Sequence, residues 1–335
     1  MRIAIVGATG MLGHHTALAT SRAGHEVIVV YRNPRSLESI RDVQCEARQA
    51  DLNDRGALRN AFTGIDAVIN CAGYYPTIPR PWRDEVQIAK AQMQNFYDAC
   101  ADLPLRKIVY LGAAIALPRN SNGRPGNEEL RYREQPNKKS PYLQVKWALD
   151  EQALAMAQQG LPITIGIPTM TFGEFDPGNT TGRLIIELAN RSLPGYVNGR
   201  RNVIYAGDAG RGLVRVCEAG RSGERYLLAG ENLTMEELMG KVAVAVGAPM
   251  PKAIPLNVAR LVSAWQTFRF KLGGPEPQVS DSAIAVMSSG QFIDGEKSRQ
   301  QLGFQPKVSV DEAIARALKR FRGRGLVKPS YMSVA

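Results

Sequence analysis

Tyr142 and Lys146 are the two residues of this chain whose types and spacing best suit acid–base chemistry. Ser140 and Pro141 precede them and predict the start of a helix, because serine caps helices and proline is favoured at the first helical position. Residues four apart on a helix share one face. A phenol has a pKa of about 10, which a neighbouring ammonium lowers. The pair therefore predicts an acid or base acting on a carbonyl or hydroxyl group, the alternative being an exposed pair without chemistry.

The glycine-rich run GATGMLG is a second feature with a chemical use. It lies between an apolar run at 2–6 and a predicted helix at 11–22, the context that a dinucleotide fingerprint requires. Side chains at its glycines would block the tight turn, the approach of a pyrophosphate or helix packing, and the helix N-terminus stabilises phosphate charge. The glycine spacing is three-and-three rather than the usual two-and-three, and the alternative is a turn without a ligand. The predicted cofactor contacts here are Gly7, Thr9, Gly10, Met11, Leu12 and Gly13.

The end of the second predicted strand, at 26–30, bears on the choice of cofactor. An NAD enzyme carries an acidic residue there to bind the ribose hydroxyls. This chain has Tyr31, Arg32 and Asn33 instead, followed by Arg35. Two arginines without an acid favour a 2′-phosphate, and hence NADP over NAD, unless both are simply solvated.

The elements that must position these residues follow from the alternation of apolar runs and helical patterns. The predicted strands are 2–6, 26–30, 43–47, 67–70, 107–111 and 163–167, and the predicted helices are 11–22, 57–62, 84–101 and 141–159. Such alternation is typical of a doubly wound parallel sheet. The predicted fold class is α/β, a Rossmann sheet followed by a smaller, mainly helical domain.

The division of the chain is predicted near Pro168, after which threonine, glycine, proline and helical patterns dominate. Residues 1–170 would form the NAD(P)-binding domain and residues 171–330 the substrate domain, with some segments returning to the first. Capping boxes at Thr234 with Glu237 and at Ser309 with Glu312 predict two helix starts. Residues 118–139 lack periodicity and form a candidate lid.

With these motifs the chain resembles the extended short-chain dehydrogenase/reductase family, in its epimerase/dehydratase and dihydroflavonol-reductase-like branch. The resemblance spans nearly the whole length. Besides GATGMLG and Tyr142 to Lys146, it rests on Asp51-Leu52, Cys71-Ala72-Gly73, Pro168, Thr181-Gly182-Arg183, Asp208 and the stretch GERYLLAGENLT from Gly223 to Thr234.

The resemblance implies further cofactor contacts. Asp51 and Leu52 would lie beside the adenine, Cys71, Ala72 and Gly73 would line the cofactor, Pro168 would lie near the nicotinamide, and Lys146 would bind the nicotinamide ribose. It also suggests a homodimer formed through the helices at 84–101 and 141–159.

The chain departs from the family where a Ser or Thr usually holds the substrate oxygen, because the run here is Leu111-Gly112-Ala113-Ala114. An Asn of the preceding helix is also missing, with Ala89 near its place. Loss of one preorganised donor typically costs on the order of 10²–10³ in rate. Thr169, Thr171 or the candidate lid could substitute. The predicted substrate contacts are Trp82, Ala113, Thr169 and Arg183.

Three functions remain open. The leading one is an NADP-dependent oxidoreductase acting on a carbonyl or hydroxyl group. The second is a nucleoside-diphosphate-sugar epimerase or dehydratase, with a diphosphate held by arginines chosen from Arg183, Arg200, Arg201 and Arg211. The third is a catalytically impaired NADP(H)-binding sensor.

Composition excludes several other classes. The 335 residues are 44% apolar and 22% charged, as in ordinary globular proteins. The four cysteines and three histidines lack metal-ligand spacing, so no metal is expected. The net charge of +11 is spread along the chain. We expect a cytoplasmic protein with a small-molecule substrate and no nucleic-acid or membrane partner.

Overall fold

The computed structural model describes residues 1–76, 80–138, 140–178, 180–275 and 290–328. Lys139, the last residue of the candidate lid, lies outside these ranges. Across the described ranges, no helix has both the length and the apolar character needed to cross a membrane.

A parallel sheet of seven strands, counted within the described residues, forms the centre of the molecule. Its strands are β1 (Arg2–Val6), β2 (Glu26–Tyr31), β3 (Glu46–Gln49), β4 (Ala67–Asn70), β5 (Lys107–Leu111), β6 (Ile163–Pro168) and β9 (Arg225–Leu228). They lie in the order β3-β2-β1-β4-β5-β6-β9, and the chain reverses direction across the sheet between β1 and β4. The predicted Rossmann fold is confirmed, and ligands of such sheets bind at the carboxyl edge near that reversal.

Helices cover both faces of this sheet. They are α1 (Met11–Arg22), α2 (Arg55–Ala61), α3 (Trp82–Ala101), α4 (Pro141–Gln158) and α6 (Ala206–Ala219). Successive residues of β1 point to opposite layers: Ile3 and Ile5 pack with Ala17 and Ala209 of α1 and α6, whereas Ala4 belongs to the cluster of α3 and α4. Burial on both faces explains why these strands read as continuous apolar runs.

A smaller group of elements follows in the second half. A three-stranded sheet contains β7 (Met170–Phe172), β8 (Arg200–Tyr205) and β10 (Glu231–Thr234). The helices are α5 (Arg183–Ala189), α7 (Met235–Val246), α8 (Leu256–Lys271), α9 (Glu296–Leu302) and α10 (Val310–Gly323). Between these elements, α6 and β9 return to the central sheet, so the boundary at residue 170 stays a prediction.

The predicted boundaries differ from the structure where local signals are weak. The third strand begins at Glu46 rather than at residue 43, at an edge of the sheet where little apolar pattern marks it. Thr234 and Glu237 form the complete capping box. Ser309 accepts a hydrogen bond from the Glu312 amide, but the Glu312 carboxylate binds Arg316 instead of closing a second box.

The middle of the segment at 118–138, which the sequence predicted to be a candidate lid, contacts the edge strand β9. The Glu128 carboxylate accepts a hydrogen bond from the Leu227 amide at 2.7 Å. Arg225 donates to the carbonyl oxygens of Leu130, at 2.9 Å, and of Glu128. These hydrogen bonds satisfy polar groups of β9 and its neighbouring segment. On an uncovered strand edge such groups would remain free to pair with another chain. The part of the segment around Glu128 and Leu130 therefore covers the sheet edge.

Candidate functional site

The glycine loop after β1 has two crowded glycines and one open glycine. Gly7 has φ of +79°, and a Cβ there would lie 2.8 Å from the Ala72 amide nitrogen. A Cβ on Gly13 would collide with the carbonyl oxygen of Gly7, whereas one on Gly10 would meet nothing nearer than 3.5 Å. Gly10 is exposed and provides no side-chain cap for α1. The loop thus presents an open, uncapped helix N-terminus that fits a pyrophosphate.

The turn after β4 is built against this loop. The buried Asn70 side chain accepts a hydrogen bond from the Ala72 amide at 2.9 Å, which fixes the turn. Cys71 lies 3.7 Å from the Thr16 hydroxyl, and burial raises the pKa of the Cys71 thiol to about 12. Ala72 and Gly73 extend from Cys71 along the carboxyl edge of the sheet.

Arg32 and Asp51 come together after β2 and β3. The Arg32 Nε lies 3.8 Å from the Asp51 carboxylate, and the Arg32 side chain is 81% exposed. The Arg35 amide donates to the Asn33 side chain at 3.1 Å, which caps the following 3₁₀ helix at Pro34–Ile40. Leu52 accepts a hydrogen bond through its carbonyl from Asn95. An exposed guanidinium at this end of the sheet fits a phosphate on the ribose.

Tyr142 and Lys146 lie one turn apart on α4, whose N-cap is Ser140 as predicted. The Lys146 Nζ is 5.7 Å from the centre of the Tyr142 ring. A Cβ on Gly73 would lie 3.6 Å from the same nitrogen, so the missing side chain at Gly73 leaves room beside the ammonium. The pair therefore adjoins the predicted cofactor turn at Gly73.

The acid–base states of this pair differ from the expectation. Burial, and then the neighbouring Tyr75, raises the pKa of Tyr142 above its ordinary value. Burial also lowers the pKa of Lys146 to about 8. Lowering of the Tyr142 pKa by Lys146 was predicted, and the structure gives the opposite direction because desolvation disfavours the phenolate.

The predicted substrate residues lie in different settings. Ala113 follows β5 and precedes a 3₁₀ helix at Ala114–Ala116, so it presents a methyl group at the carboxyl edge. The buried Thr169, after β6, donates its hydroxyl hydrogen to Asn202 at 2.7 Å. Trp82 begins α3 with the Lys138 ammonium 6.0 Å from its ring. Arg183 begins α5 and binds Glu187 at 2.6 Å.

The other arginines considered for a diphosphate also have contacts within the chain. Arg211 binds the buried carboxylate of Asp208 at 2.5 Å. Arg200 lies 5.2 Å from the ring of Phe292. Arg201 is buried and donates to the Arg200 carbonyl at 2.7 Å, and burial lowers its pKa to about 10. The Asp208 carboxylate also accepts hydrogen bonds from the backbone amides of residues 307 and 308. It therefore joins α6 to the segment before α10.

Sequence reasoning missed Tyr75 and Glu85. The Tyr75 ring centre lies 4.8 Å from that of Tyr142. Glu85 is only 1% exposed, and neither carboxylate oxygen has a hydrogen-bond partner among the described residues. Burial, and then Glu85, raises the pKa of Tyr74 in the turn after β4. A glutamate four residues before Ala89 on the buried face of α3 was the available signal.

Asp150 was also missed, although the spacing of four that joins Tyr142 to Lys146 continues to it. Its carboxylate lies 3.2 Å from the Arg225 guanidinium, and both side chains are less than a twentieth exposed, at 3% and 4%. Burial raises the pKa of Asp150 to about 6 even though Arg225 opposes the rise. One oxygen has no partner among the described residues. A buried ion pair therefore ties α4 to β9 beneath Lys146.

Comparison with known proteins places this architecture in a family. The sequence model of the NAD dependent epimerase/dehydratase family matches residues 3–229. A nucleoside-diphosphate-sugar epimerase of known structure from Pseudomonas aeruginosa is 40% identical, over 97% of this chain and 99% of that one, with a TM-score of 0.84. A putative dihydroflavonol 4-reductase from Synechocystis sp. is 26% identical, over 97% of this chain and 95% of the relative.

A dTDP-glucose 4,6-dehydratase from Streptomyces venezuelae, solved with NAD bound, shares the fold. It is 21% identical over 97% of this chain and 98% of that one, with a TM-score of 0.73. The family match covers well over half of the chain, so the resemblance inferred from the motifs is confirmed. This protein belongs to the NAD-dependent epimerase/dehydratase family.

Proposed function

We propose that this protein is an NADP-dependent oxidoreductase that transfers hydride to or from a carbonyl or hydroxyl group, with Tyr142 as the acid or base. The observation that carries the proposal is the position of Lys146 beside Gly73, on the turn that also contacts the glycine loop at Gly7. One edge of the sheet thus joins a phosphate-binding loop to a proton-transferring pair. The substrate would bind between residues 1–170 and 171–330.

Each part of the site has a role in this proposal. The N-terminus of α1 would hold the pyrophosphate, Arg32 would hold the 2′-phosphate, and Lys146 would hold the nicotinamide ribose. The bound nicotinamide supplies or accepts the hydride. Tyr142, like any tyrosine, is neutral at pH 7, and burial keeps it so by raising its pKa, so it would donate a proton to the substrate oxygen during reduction. The Lys146 ammonium then stabilises the phenolate.

The run at Ala113 supplies no hydroxyl to hold the substrate oxygen. Thr169 offers a hydroxyl at the end of the next strand, β6, but its hydrogen is donated to Asn202. Thr169 therefore replaces the missing donor only if that hydrogen bond breaks. In our proposal the substrate oxygen relies on Tyr142 alone, and turnover is slower by about 10²–10³ than with a preorganised second donor.

A nucleoside-diphosphate-sugar epimerase is the second candidate, because the relative so named is 40% identical over 97% of this chain. Such an enzyme oxidises and reduces one substrate in turn and keeps its cofactor bound. Stoichiometric NAD released from the purified, denatured protein would favour this candidate. A small-molecule substrate, a cytoplasmic location and a homodimer remain predictions under either candidate.

The deciding experiment is the substitution Tyr142→Phe, assayed by NADPH consumption with a panel of carbonyl compounds. We expect kcat to fall by about 10²–10⁴-fold, since the variant loses the transferable proton and keeps the ring. NADPH binding, titrated separately, should change little. Tyr132→Phe, in the segment along β9, is the matched control. Unchanged turnover in Tyr142→Phe would show that Tyr142 takes no part in the reaction. Wild-type protein that binds NADPH without any turnover would support the third function, a catalytically impaired NADP(H)-binding sensor.

A further inference from the structure

Helix α8 carries an apolar stripe on its solvent-facing side. The large apolar side chains along it are Val258, Leu261, Val262, Trp265, Phe268 and, just past its end, Leu272, and they are between 39% and 73% exposed. Their spacing of three, four or seven residues places them on one face of the helix. Monomeric proteins rarely expose so many adjoining apolar side chains without a partner for them.

The opposite face of α8, which packs on the protein, carries mostly smaller or polar side chains, with Phe270 as the large apolar one. Its buried residues are Ala259 and Ser263, with Gln266, Thr267 and Phe270 partly buried. Ala259 packs with Val197, Ile254 and Leu256. The helix is thus reversed relative to an ordinary surface helix, whose apolar face turns inward. The described residues leave the stripe uncovered, and its burial needs a further surface.

The charges on α8 restrict the choice of partner. Arg260 and Arg269 are exposed, and residues 256–275 contain no Asp or Glu. The Arg269 guanidinium lies 4.9 Å from the centre of the Trp265 ring, within the apolar stripe. In a two-fold dimer through this face, the same helix of the second copy would offer Arg269 no carboxylate, which would leave the guanidinium uncompensated in a dry interface. An anionic lipid surface instead accepts the apolar side chains and pairs its phosphates with Arg269.

We propose that α8 is an interfacial helix that docks this protein on an anionic lipid surface. Trp265, Phe268 and Leu261 would enter the boundary between headgroups and acyl chains, with the helix axis parallel to the membrane. Arg269, which lies over Trp265, would contact lipid phosphates, and the net charge of +11 would favour approach to the surface. This differs from the expectation of no membrane partner, which considered membrane-spanning segments and the spread of charge but not the exposed face of one helix.

Co-sedimentation of the full-length protein with vesicles tests this proposal. Phosphatidylcholine vesicles are compared with vesicles of mixed phosphatidylcholine and phosphatidylglycerol, at low and high salt. We expect binding to the mixed vesicles that weakens with salt. Trp265→Glu should weaken vesicle binding by at least about tenfold, because it removes an aromatic ring that would enter the lipid and adds a negative charge that anionic lipids repel. Arg269→Gln should weaken binding to the mixed vesicles by about fivefold and leave binding to neutral vesicles unchanged.

The matched control is Val244→Glu, which places the same charge at an apolar side chain of α7 that is 84% exposed and lies off the stripe. It should bind vesicles like the wild type. Sedimentation equilibrium and thermal unfolding of each variant identify the other occupants. Absence of vesicle binding overturns the proposal. In that case, self-association that Trp265→Glu abolishes would assign the stripe to a second copy. A large loss of thermal stability in the same variant would instead assign it to residues 276–289 of this chain.

Discussion

Tyr142 and Lys146 lie one turn apart on α4, with the ammonium nitrogen 5.7 Å from the phenol ring centre. Their types and spacing are visible in the sequence, but their proton affinities depend on what surrounds them. Removal of water disfavours both charged forms, which raises the pKa of Tyr142 and lowers that of Lys146. The site thus holds a neutral phenol next to an amine that loses its proton more easily than usual.

The pH dependence of stability provides a test of the Lys146 environment. An unfolded chain holds the lysine proton up to a pH of about 10.4, whereas the folded protein releases it at a pKa of about 8. Between these values the unfolded state binds more protons, so the free energy of unfolding rises with pH, and the cost of the buried ammonium is fully present below about pH 8. Lys146→Met should therefore be more stable than the wild type at pH 7 by roughly 1 kcal/mol, a figure reduced for partial exposure.

Denaturant unfolding at several pH values measures this difference. The advantage of Lys146→Met should shrink as the pH rises from about 8 toward 10. Lys90→Met, at an exposed position of α3, controls for the general effect of replacing lysine by methionine. A stability difference that stays constant over this range would mean that the Lys146 ammonium is hydrated in the folded protein.

At the scale of elements, α4 and β9 are joined by a buried ion pair and by the segment along the sheet edge. Arg225 binds Asp150 on α4 and two carbonyl oxygens of residues 118–138. The Glu128 carboxylate in turn accepts a hydrogen bond from the Leu227 amide. One arginine therefore holds together the last strand of the sheet, the helix that carries Tyr142 and the segment that covers the strand edge.

Loss of Arg225 should consequently be costly. Arg225→Met leaves the Asp150 carboxylate buried without its cation, and we expect the free energy of unfolding to fall by about 3–5 kcal/mol. The double variant Asp150→Leu with Arg225→Met should recover part of this loss, since no unpaired charge remains. Arg183→Met breaks the exposed pair with Glu187 and should cost at most about 1 kcal/mol. Equal, small losses in Arg225→Met and Arg183→Met, measured by urea unfolding, would contradict this view of the buried pair.

At the scale of the whole molecule, the parallel sheet gathers the loops after β1, β2, β4, β5 and β6 at one edge. A dinucleotide along that edge contacts loops that are far apart in sequence. Binding to the folded state alone adds about 2.7 kcal/mol of stability at a hundredfold excess over Kd. Cofactor preference should therefore be visible in the unfolding of the whole protein.

We expect NADPH to raise the melting temperature more than NADH does at equal concentration. Arg32→Ala should reduce the rise with NADPH and leave that with NADH unchanged, because only the 2′-phosphate needs the guanidinium. Arg41→Ala is the matched control, since Arg41 is 77% exposed and Arg32 is 81% exposed. A larger rise with NADH in the wild type would reverse the proposed cofactor preference.

The sequence by itself determined the strand–turn–helix order of the first half, the glycine loop at Gly7 to Gly13 and the start of α4 at Ser140. These depend on local patterns: apolar periodicity, glycine conformations that other residues cannot adopt, and side-chain caps. The same patterns carried the family resemblance, and hence the class of cofactor. The spacing of Glu85 to Ala89 could have singled out Glu85 in the sequence, but only the structure shows that its side chain is buried.

Only the tertiary structure decided the return of β9 to the central sheet, the contacts of Glu128 and Leu130 with it and the direction of the Tyr142 pKa shift. It also decided that the apolar face of α8 points to solvent. Each depends on which surfaces meet after the chain has folded, and residues such as Asp150 and Arg225, 75 positions apart, meet only then. Desolvation and pairing arise from those contacts, and local sequence patterns carry no information about them.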